Sequence, residues 1–262
     1  MRLAFYTLAS SLSADQHMLP FPKCLDLLDD QGTYPSTAVQ LLGLPSDAIG
    51  SLPVFSGHLH WLAGDSGTQA GFQPAFVFVI WNDTLTETLT VQLATPGFRS
   101  IVLILHGPDQ APPATLNGRP LAHFRFDGTP LDAVLSLIAP LVLPLIYRSV
   151  VCVALEDYEY LFARGGRLRC LGKTWGEDMD VCFAELAWQL GEAKSLAGCN
   201  DRLLTSILVP SSMCALSVAD RVAAVVQRAN GCGEPSWLIS TLVHQEVTIR
   251  LCAYAVEPAD KL

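Results

Sequence analysis

The sequence predicts an α/β protein in which buried parallel strands alternate with helices along the chain. The main observation is a set of short, unbroken apolar runs separated by segments of helical character. Parallel strands are buried on both faces, so they appear as continuous apolar sequence. The composition agrees, because 50% of the 262 residues are apolar and only 16% are charged, which allows a sizeable core. The net charge of −9 argues against nucleic acid as a partner.

The first part of the chain contains the predicted strands of a doubly wound layer. Residues 1–75 are divided by prolines into pieces too short to assign. The apolar start of the chain, residues 1–9, is interpreted as a first strand, because the basic flank and the cleavage site of a signal peptide are only weakly present there. Beyond it, strand, helix and strand follow in the order that doubly wound sheets use. The predicted segments are strands at 76–81, 100–105 and 121–126 and a helix at 84–93.

The most apolar segment, residues 133–147, is interpreted as a buried central helix. Thr129 is expected to cap it and Pro130 to occupy its first turn. Pro140 and Pro144 lie inside it, where proline removes backbone hydrogen bonds and bends a helix. A membrane span needs about 20 apolar residues, so no transmembrane segment is expected, although a segment that dips into a membrane stays an alternative.

The second half begins with a short helix over 157–163, closed by Gly165-Gly166, and a strand over 167–171. A longer helix is predicted to start at Glu177-Asp178 and to end at Gly191. Its core face follows the helical spacing i, i+3, i+4, i+7. That face consists of Phe183, Leu186, Ala187 and Leu190.

The last elements are a strand at 203–209, a helix opened by a capping box at Ser217, and strands at 237–243 and 247–255. The helix presents Val218, Val222, Val225 and Val226 on one face. The link between the last two strands is tight. It predicts that these strands are hairpin-like neighbours.

This order of elements resembles the FtsZ/tubulin family, whose bacterial member FtsZ acts in cell division. Residues 155–162, with the sequence LEDYEYLF, are similar to the stretch that follows the family's central helix, and residues 172–178 are similar to a strand end and turn. The resemblance covers about residues 130–258 and, less specifically, 76–106. It implies a reduced nucleotide-type domain over 1–127, a central helix over 128–150 and a C-terminal βα domain over 151–262.

The family's catalytic motif is largely missing. The loop after its central helix carries N-x-D-x-x-D, whose acids activate water on the GTP of the neighbouring subunit. The matching positions here are Cys152, Ala154 and Asp157. Only Asp157 can be carried over, with Glu156 beside it, and a lone carboxylate at this place is typical of a helix cap.

The family's phosphate loop, G-G-G-T-G-T-G, has no counterpart after the strand at 76–81. The chain continues as WNDTLTET over residues 81–88, without glycine, although phosphate binding needs close backbone N–H groups. Asp83 and Glu87 in this stretch would repel a triphosphate. Residues 10–13, after the first predicted strand, also lack glycine. Weak or absent GTP binding is therefore predicted, and no cofactor is expected.

These observations predict a non-catalytic, cytoplasmic pseudo-GTPase that works through protein–protein contact. Its expected partner is itself or an FtsZ-type protein, whose filament end it would cap. The candidate interface residues are Glu156, Asp157, Tyr158 and Trp175, because aromatic side chains exposed near turns suit an interface. The eight cysteines are scattered without a C-x-x-C pair, as expected for reduced thiols.

Three other interpretations stay open. A divergent cytoskeletal protein would bind GTP and polymerise. A small metal-dependent hydrolase would use His58 and His60, which point to one side of a strand, together with His106 and His123. An α/β protein unrelated to this family is the third alternative.

The string GDSG at 64–67 is assigned to chance, a surface turn or a remnant glycine loop.

Overall fold

The computed structural model describes residues 37–43, 59–63, 74–82, 85–95, 98–126, 129–146, 153–194, 202–230, 237–244 and 247–257. In these residues the elements, in chain order, are β1 (Thr37–Leu42), β2 (Leu59–Ala63), β3 (Phe76–Ile80), α1 (Leu85–Ala94), β4 (Ile101–His106), β5 (Thr115–Leu116), β6 (Arg119–Pro120), β7 (Ala122–Arg125), α2 (Leu131–Ile146), α3 (Leu155–Phe162), β8 (Gly166–Gly176), α4 (Met179–Lys194), β9 (Arg202–Pro210), α5 (Ala215–Asn230), β10 (Trp237–His244) and β11 (Ile249–Glu257). The expected first strand at 1–9 and the segments 10–13 and 64–67 lie outside the described residues.

Nine of these strands form one mixed sheet in the order β10-β9-β11-β8-β7-β4-β3-β1-β2. All neighbouring pairs are parallel except those of β11, which runs antiparallel to both β8 and β9. The two halves of the chain meet where β7 pairs with β8, at Ala122–Gly166 and His123–Arg167. β5 and β6 form a separate small hairpin. The α/β fold class predicted from the sequence is confirmed.

The expected hairpin of the last two strands is wrong. β10 pairs in parallel with β9, and β11 lies between β8 and β9, so β9 separates β10 from β11. The reason is the burial of β11: residues on both of its faces, including Leu251, Cys252 and Tyr254, are inaccessible to solvent. A strand buried on both faces is stabilised in the interior of a sheet rather than at its edge.

Helices cover both faces of the sheet. Alternate residues of β3 point to opposite sides, as a strand requires: Phe76 and Phe78 pack with α2, whereas Val77 and Val79 pack with α1. α4 and α5 cover the face of β9 and β11 that is opposite to α2. We call the side that carries α2 the α2 face and the side that carries α1, α4 and α5 the α1 face.

The central helix α2 was predicted correctly as a buried helix that contains Pro140 and Pro144. Proline at position 140 cannot supply the N–H of a normal helical turn. Near this point the hydroxyl of Tyr254, on β11, donates a hydrogen bond of 2.5 Å to the carbonyl oxygen of Leu137. Within the part of the chain that the structure describes, no helix is long and apolar enough to cross a membrane.

Some predicted element boundaries and faces are wrong. α4 continues through Gly191 to Lys194, because Gly191 does not adopt the left-handed conformation with which a glycine ends a helix. Ala187 is exposed, and Cys182 takes a place on the buried face. α5 begins at Ala215, so Ser217 lies inside its first turn. β8 extends well beyond the predicted end at 171, and β1 and β2 were not predicted.

Candidate functional site

Parallel sheets have two different ends, and each end of this sheet carries candidate groups. At the carboxyl end, the chain passes from β1 to β2 on one side and then to β3 on the other side of β1. Such a reversal of strand order creates a crevice in which α/β proteins bind ligands. The groups at this crevice therefore determine which ligands the carboxyl end of the sheet could bind.

Gly43 follows β1 directly at this crevice. Its φ of 91° lies in the left-handed region, which glycine adopts without strain. A Cβ atom at this position would lie 2.4 Å from the carbonyl oxygen of Ile80, at the end of β3. Close packing of the two strand ends therefore already accounts for this glycine.

In the connection from β3 to α1, backbone N–H groups donate hydrogen bonds to backbone carbonyls of the chain itself. The N–H of Trp81 donates to the Leu105 carbonyl at 2.8 Å, and the N–H of Leu85 donates to the Asn82 carbonyl at 3.1 Å. The Trp81 side chain is buried in the core on the α1 face, and Glu87 adds negative charge to the first turn of α1. Phosphate-binding loops use free backbone N–H groups, and the N–H groups of Trp81 and Leu85 are already engaged within the chain.

The amino end of the sheet carries α3, which follows the central helix. Asp157 lies in the first turn of α3, and its Oδ2 accepts a hydrogen bond of 2.8 Å from the backbone N–H of Ala154. Its own N–H donates to the Ala154 carbonyl at 3.2 Å. Asp157 thus caps its own helix, in keeping with the favourable interaction of an acid with a helix N-terminus.

The other two acids of α3 bind Arg99, which precedes β4. Arg99 donates to both carboxylate oxygens of Glu159, from Nε at 3.0 Å and from Nη2 at 2.8 Å. Its Nη2 also lies 3.4 Å from Glu156 Oε1. These contacts, mainly the hydrogen bonds to Glu159, raise the pKa of the Arg99 guanidinium above its ordinary value. All three α3 carboxylates are therefore engaged within the chain.

Two of the expected interface residues lie elsewhere than predicted. Tyr158 is fully buried, and its ring packs edge-on against Phe76 with centroids 5.6 Å apart, so it offers no surface to a partner. The exposed aromatic residue of α3 is Tyr160, at 65% exposure. Trp175 is half-buried inside strand β8 rather than in a turn, with Lys173 Nζ 5.6 Å from the centre of its ring.

A cleft lies beside α3 at this end of the sheet. Its volume is about 320 Å³, and Phe98, Arg99, Arg119 and Phe162 are among its lining residues. Arg119 stacks on Phe98, with 5.5 Å from its guanidinium carbon to the ring centre. We call the cleft together with Arg99, Arg119, Glu156, Glu159 and Tyr160 the amino-end surface.

The histidines proposed for a metal site do not come together as a group. The rings of His106 and His123 are in edge contact, with centroids 5.8 Å apart. His60 is in β2, which β1 and β3 separate from β4, so three strand spacings, or about 14 Å, lie between the backbones. That distance excludes a shared ion. His58 lies outside the described residues, and among those described no three potential ligands form a metal-binding group.

Sequence comparisons identify no relative: no protein-family model matches this chain, and no curated protein does either. Solved structures do match. The empty FtsZ dimer of M. jannaschii aligns with a TM-score of 0.53 at 12% identity, over 87% of this chain and 90% of that one. A tryptophan-to-tyrosine mutant of the same FtsZ aligns at 0.55 and 13%, over 86% and 92%. CetZ2 from Haloferax volcanii, a GTPγS-bound protofilament, aligns at 0.51 and 13%, over 86% and 96%.

These alignments cover nearly the whole length of each compared structure. The chain therefore has the FtsZ/tubulin-like fold, which confirms the resemblance inferred from the order of its elements. At sequence identities of 12–13%, these alignments establish the shared fold and nothing further about the chain.

Proposed function

We propose that this chain is a non-catalytic protein of the FtsZ/tubulin-like fold that acts in the cytoplasm through protein–protein contact. The contact is made by the amino-end surface. The partner is a second copy of the chain or an FtsZ-type protein, whose filament end the chain caps.

The observation that carries this proposal is the engagement of every α3 carboxylate within the chain. Asp157 caps α3, and Glu156 and Glu159 bind Arg99. A carboxylate that activates water must be able to reach that water with its oxygen atoms. The filled hydrogen bonds around Trp81 and Leu85 support the same conclusion at the opposite end of the sheet.

The amino-end surface has the composition of a contact region. It combines the exposed ring of Tyr160 with a cleft lined by two arginines and several apolar side chains. Tyrosine and arginine are enriched at protein interfaces. Two of the structures with this fold are assemblies, the FtsZ dimer and the CetZ2 protofilament. End-to-end contact is the arrangement that a capping protein would share with such assemblies.

The test is analytical ultracentrifugation of the purified protein, alone and with FtsZ. We expect concentration-dependent self-association, or a shortening of FtsZ filaments. Tyr160→Ser and Arg99→Ser should weaken either effect at least tenfold. Trp188→Ser is the matched control, because Trp188 is an aromatic residue exposed to 58% on α4, a helix that contributes no residue to the lining of the cleft. A protein that stays monomeric and leaves FtsZ filaments unchanged contradicts the proposal, as does equal association by Tyr160→Ser.

A second candidate function is a divergent cytoskeletal protein that binds GTP and polymerises by itself. The strand-order reversal at Gly43 favours it, because that crevice is where this type of sheet accepts ligands. The two candidates differ in their response to GTP. Only the second predicts assembly that begins when GTP is added.

A further inference from the structure

We propose that the cleft beside α3 is a binding site for a small monoanion, a carboxylate carried on an aromatic or aliphatic body. Arg119 binds the carboxylate, and the apolar body lies against the side chains of Phe98 and Phe162. Binding of this ligand does not depend on the association proposed above, although the cleft is part of the amino-end surface.

The size and the walls of the cleft suit a small molecule. Its volume of about 320 Å³ lies at the lower end of the range for small-ligand sites, about 300–1,000 Å³. Such sites combine mostly apolar walls with a few polar groups that fix the orientation of the ligand. The apolar walls here include Leu93 of α1, Phe98 before β4 and Phe162 at the end of α3. The ligand therefore has an apolar body.

Hydrogen bonds within the chain hold the walls of the cleft in place. The β5–β6 hairpin is attached to α1, because Asn117 Nδ2 donates to the Thr90 carbonyl oxygen at 3.0 Å. The end of α3 is attached to Arg202 on β9, which donates to the carbonyl oxygens of Tyr160 and Gly165 at 3.2 and 3.1 Å. The site is therefore formed before a ligand enters, which lowers the cost of binding.

The charges of the lining favour one negative charge on the ligand. Arg99, Arg119 and Glu159 line the cleft, and Arg99 donates to both carboxylate oxygens of Glu159, so these two charges offset each other. Glu156, the other partner of Arg99, is not part of the lining. Arg119 supplies the remaining positive charge. One guanidinium balances a carboxylate better than a phosphate monoester, which carries a charge of about −1.5 to −2.

Contacts with Phe98 orient the Arg119 guanidinium. Its carbon atom lies 5.5 Å from the centre of the Phe98 ring, and its Nη2 donates to the Phe98 carbonyl oxygen at 3.2 Å. A guanidinium has five N–H donors, so this bond leaves enough of them for both oxygens of a carboxylate. Arg119 is half-buried, and an ion pair is stronger where water is partly excluded.

The experiment is a titration of the full chain with phenylbutyrate, followed by nuclear magnetic resonance. Phenylbutanol and phenylbutylamine keep the same apolar body and replace the carboxylate by a neutral or a positive group. We expect saturable binding of phenylbutyrate, at least tenfold weaker binding of the alcohol and no saturable binding of the amine. No saturable binding of phenylbutyrate, or equal binding of the alcohol, overturns the proposal.

Two variants locate the site. Arg119→Gln removes the charge and should weaken phenylbutyrate binding at least tenfold. Ala163→Phe keeps the charge but fills the cleft from an exposed position of its lining, so it should weaken the binding of phenylbutyrate and of the alcohol. Arg228→Gln is the matched control, because Arg228 is exposed on α5, which contributes no described residue to the lining. Wild-type binding by either cleft variant places the ligand elsewhere and overturns the proposal.

Two controls separate ligand binding from folding and from association. The comparison of the three ligands uses the unchanged chain, so it does not depend on how well a variant folds. Sedimentation of the same samples reports association on its own. A chain that binds phenylbutyrate but stays monomeric, without effect on FtsZ filaments, supports this site and contradicts only the function proposed above.

Discussion

Tyr158 on α3 and Tyr254 on β11 are both fully buried, but their hydroxyl groups have opposite surroundings. The Tyr254 hydroxyl donates to the Leu137 carbonyl oxygen at 2.5 Å. The Tyr158 hydroxyl has no hydrogen-bond partner among the described residues. Replacement by phenylalanine removes only the hydroxyl in each case. The same substitution is therefore expected to change stability in opposite directions at the two positions.

The size of each effect follows from the hydrogen bond that is lost or the unpaired group that is removed. Tyr254→Phe removes a buried hydrogen bond and should lower the free energy of unfolding by about 1–2 kcal/mol. Tyr158→Phe removes a buried hydroxyl without a partner and should raise it by about 1–2 kcal/mol. In a chain of this size, 1 kcal/mol corresponds to about 2–4 °C in the unfolding temperature.

Urea unfolding followed by circular dichroism measures both variants against the wild type. The ring packing of Tyr158 on Phe76 is kept in Tyr158→Phe, so the comparison isolates the hydroxyl. Destabilisation of both variants by the same amount would refute the reasoning, because it would mean that the Tyr158 hydroxyl is bonded in the folded protein.

Three further predictions use the same unfolding assay. Gly165 has a φ of 60°, and a Cβ there would lie 2.5 Å from the Leu121 carbonyl oxygen, so Gly165→Ala should cost at least about 2 kcal/mol. Gly191→Ala, in α4 with open space around it, should instead gain up to about 1 kcal/mol; equal effects at the two glycines would contradict this account. Burial lowers the pKa of His123 from 6.5 to about 4, so the unfolded chain binds the proton more tightly and stability should fall by about 3 kcal/mol as the pH drops from 7 to 4. His123→Gln should flatten that dependence, and an unchanged slope would count against it. Arg99→Ser should leave stability almost unchanged, since exposed ion pairs contribute little; a strongly destabilised variant would show that Arg99 supports the fold rather than a contact.

The strands of the sheet were predictable where burial leaves a local signal. The apolar segments that became β3, β4 and β9 are continuous because parallel strands are covered on both faces. The position of β11 between β8 and β9 was not predictable from local sequence. Strand pairing is a long-range property, and the short link after β10 indicated a hairpin that the sheet does not contain.

The amino-end surface was found only in part from the sequence. Asp157 was correctly expected to behave as a cap, but Tyr158 was expected at the surface. A signal for its burial was present: Tyr158, Leu161 and Phe162 are spaced i, i+3, i+4 and are all buried, which leaves Tyr160 outside. Arg99 lies far away in sequence, so its pairing with Glu156 and Glu159 required the fold.

The contact between the rings of His106 and His123 depends on strand order in the same way. His106 and His123 were recognised on separate strands, but nothing local indicates that β4, β7 and β8 are neighbours. Only that order brings Arg167 beside His123.

The measurement that tests the central claim most directly is sedimentation of the purified chain with GTP, with GDP and without nucleotide, together with phosphate release from GTP. The account predicts the same sedimentation profile in all three conditions and phosphate release at the rate of the buffer alone. Assembly that begins only with GTP, accompanied by phosphate release, would contradict it and would establish an active nucleotide site at the carboxyl end of the sheet.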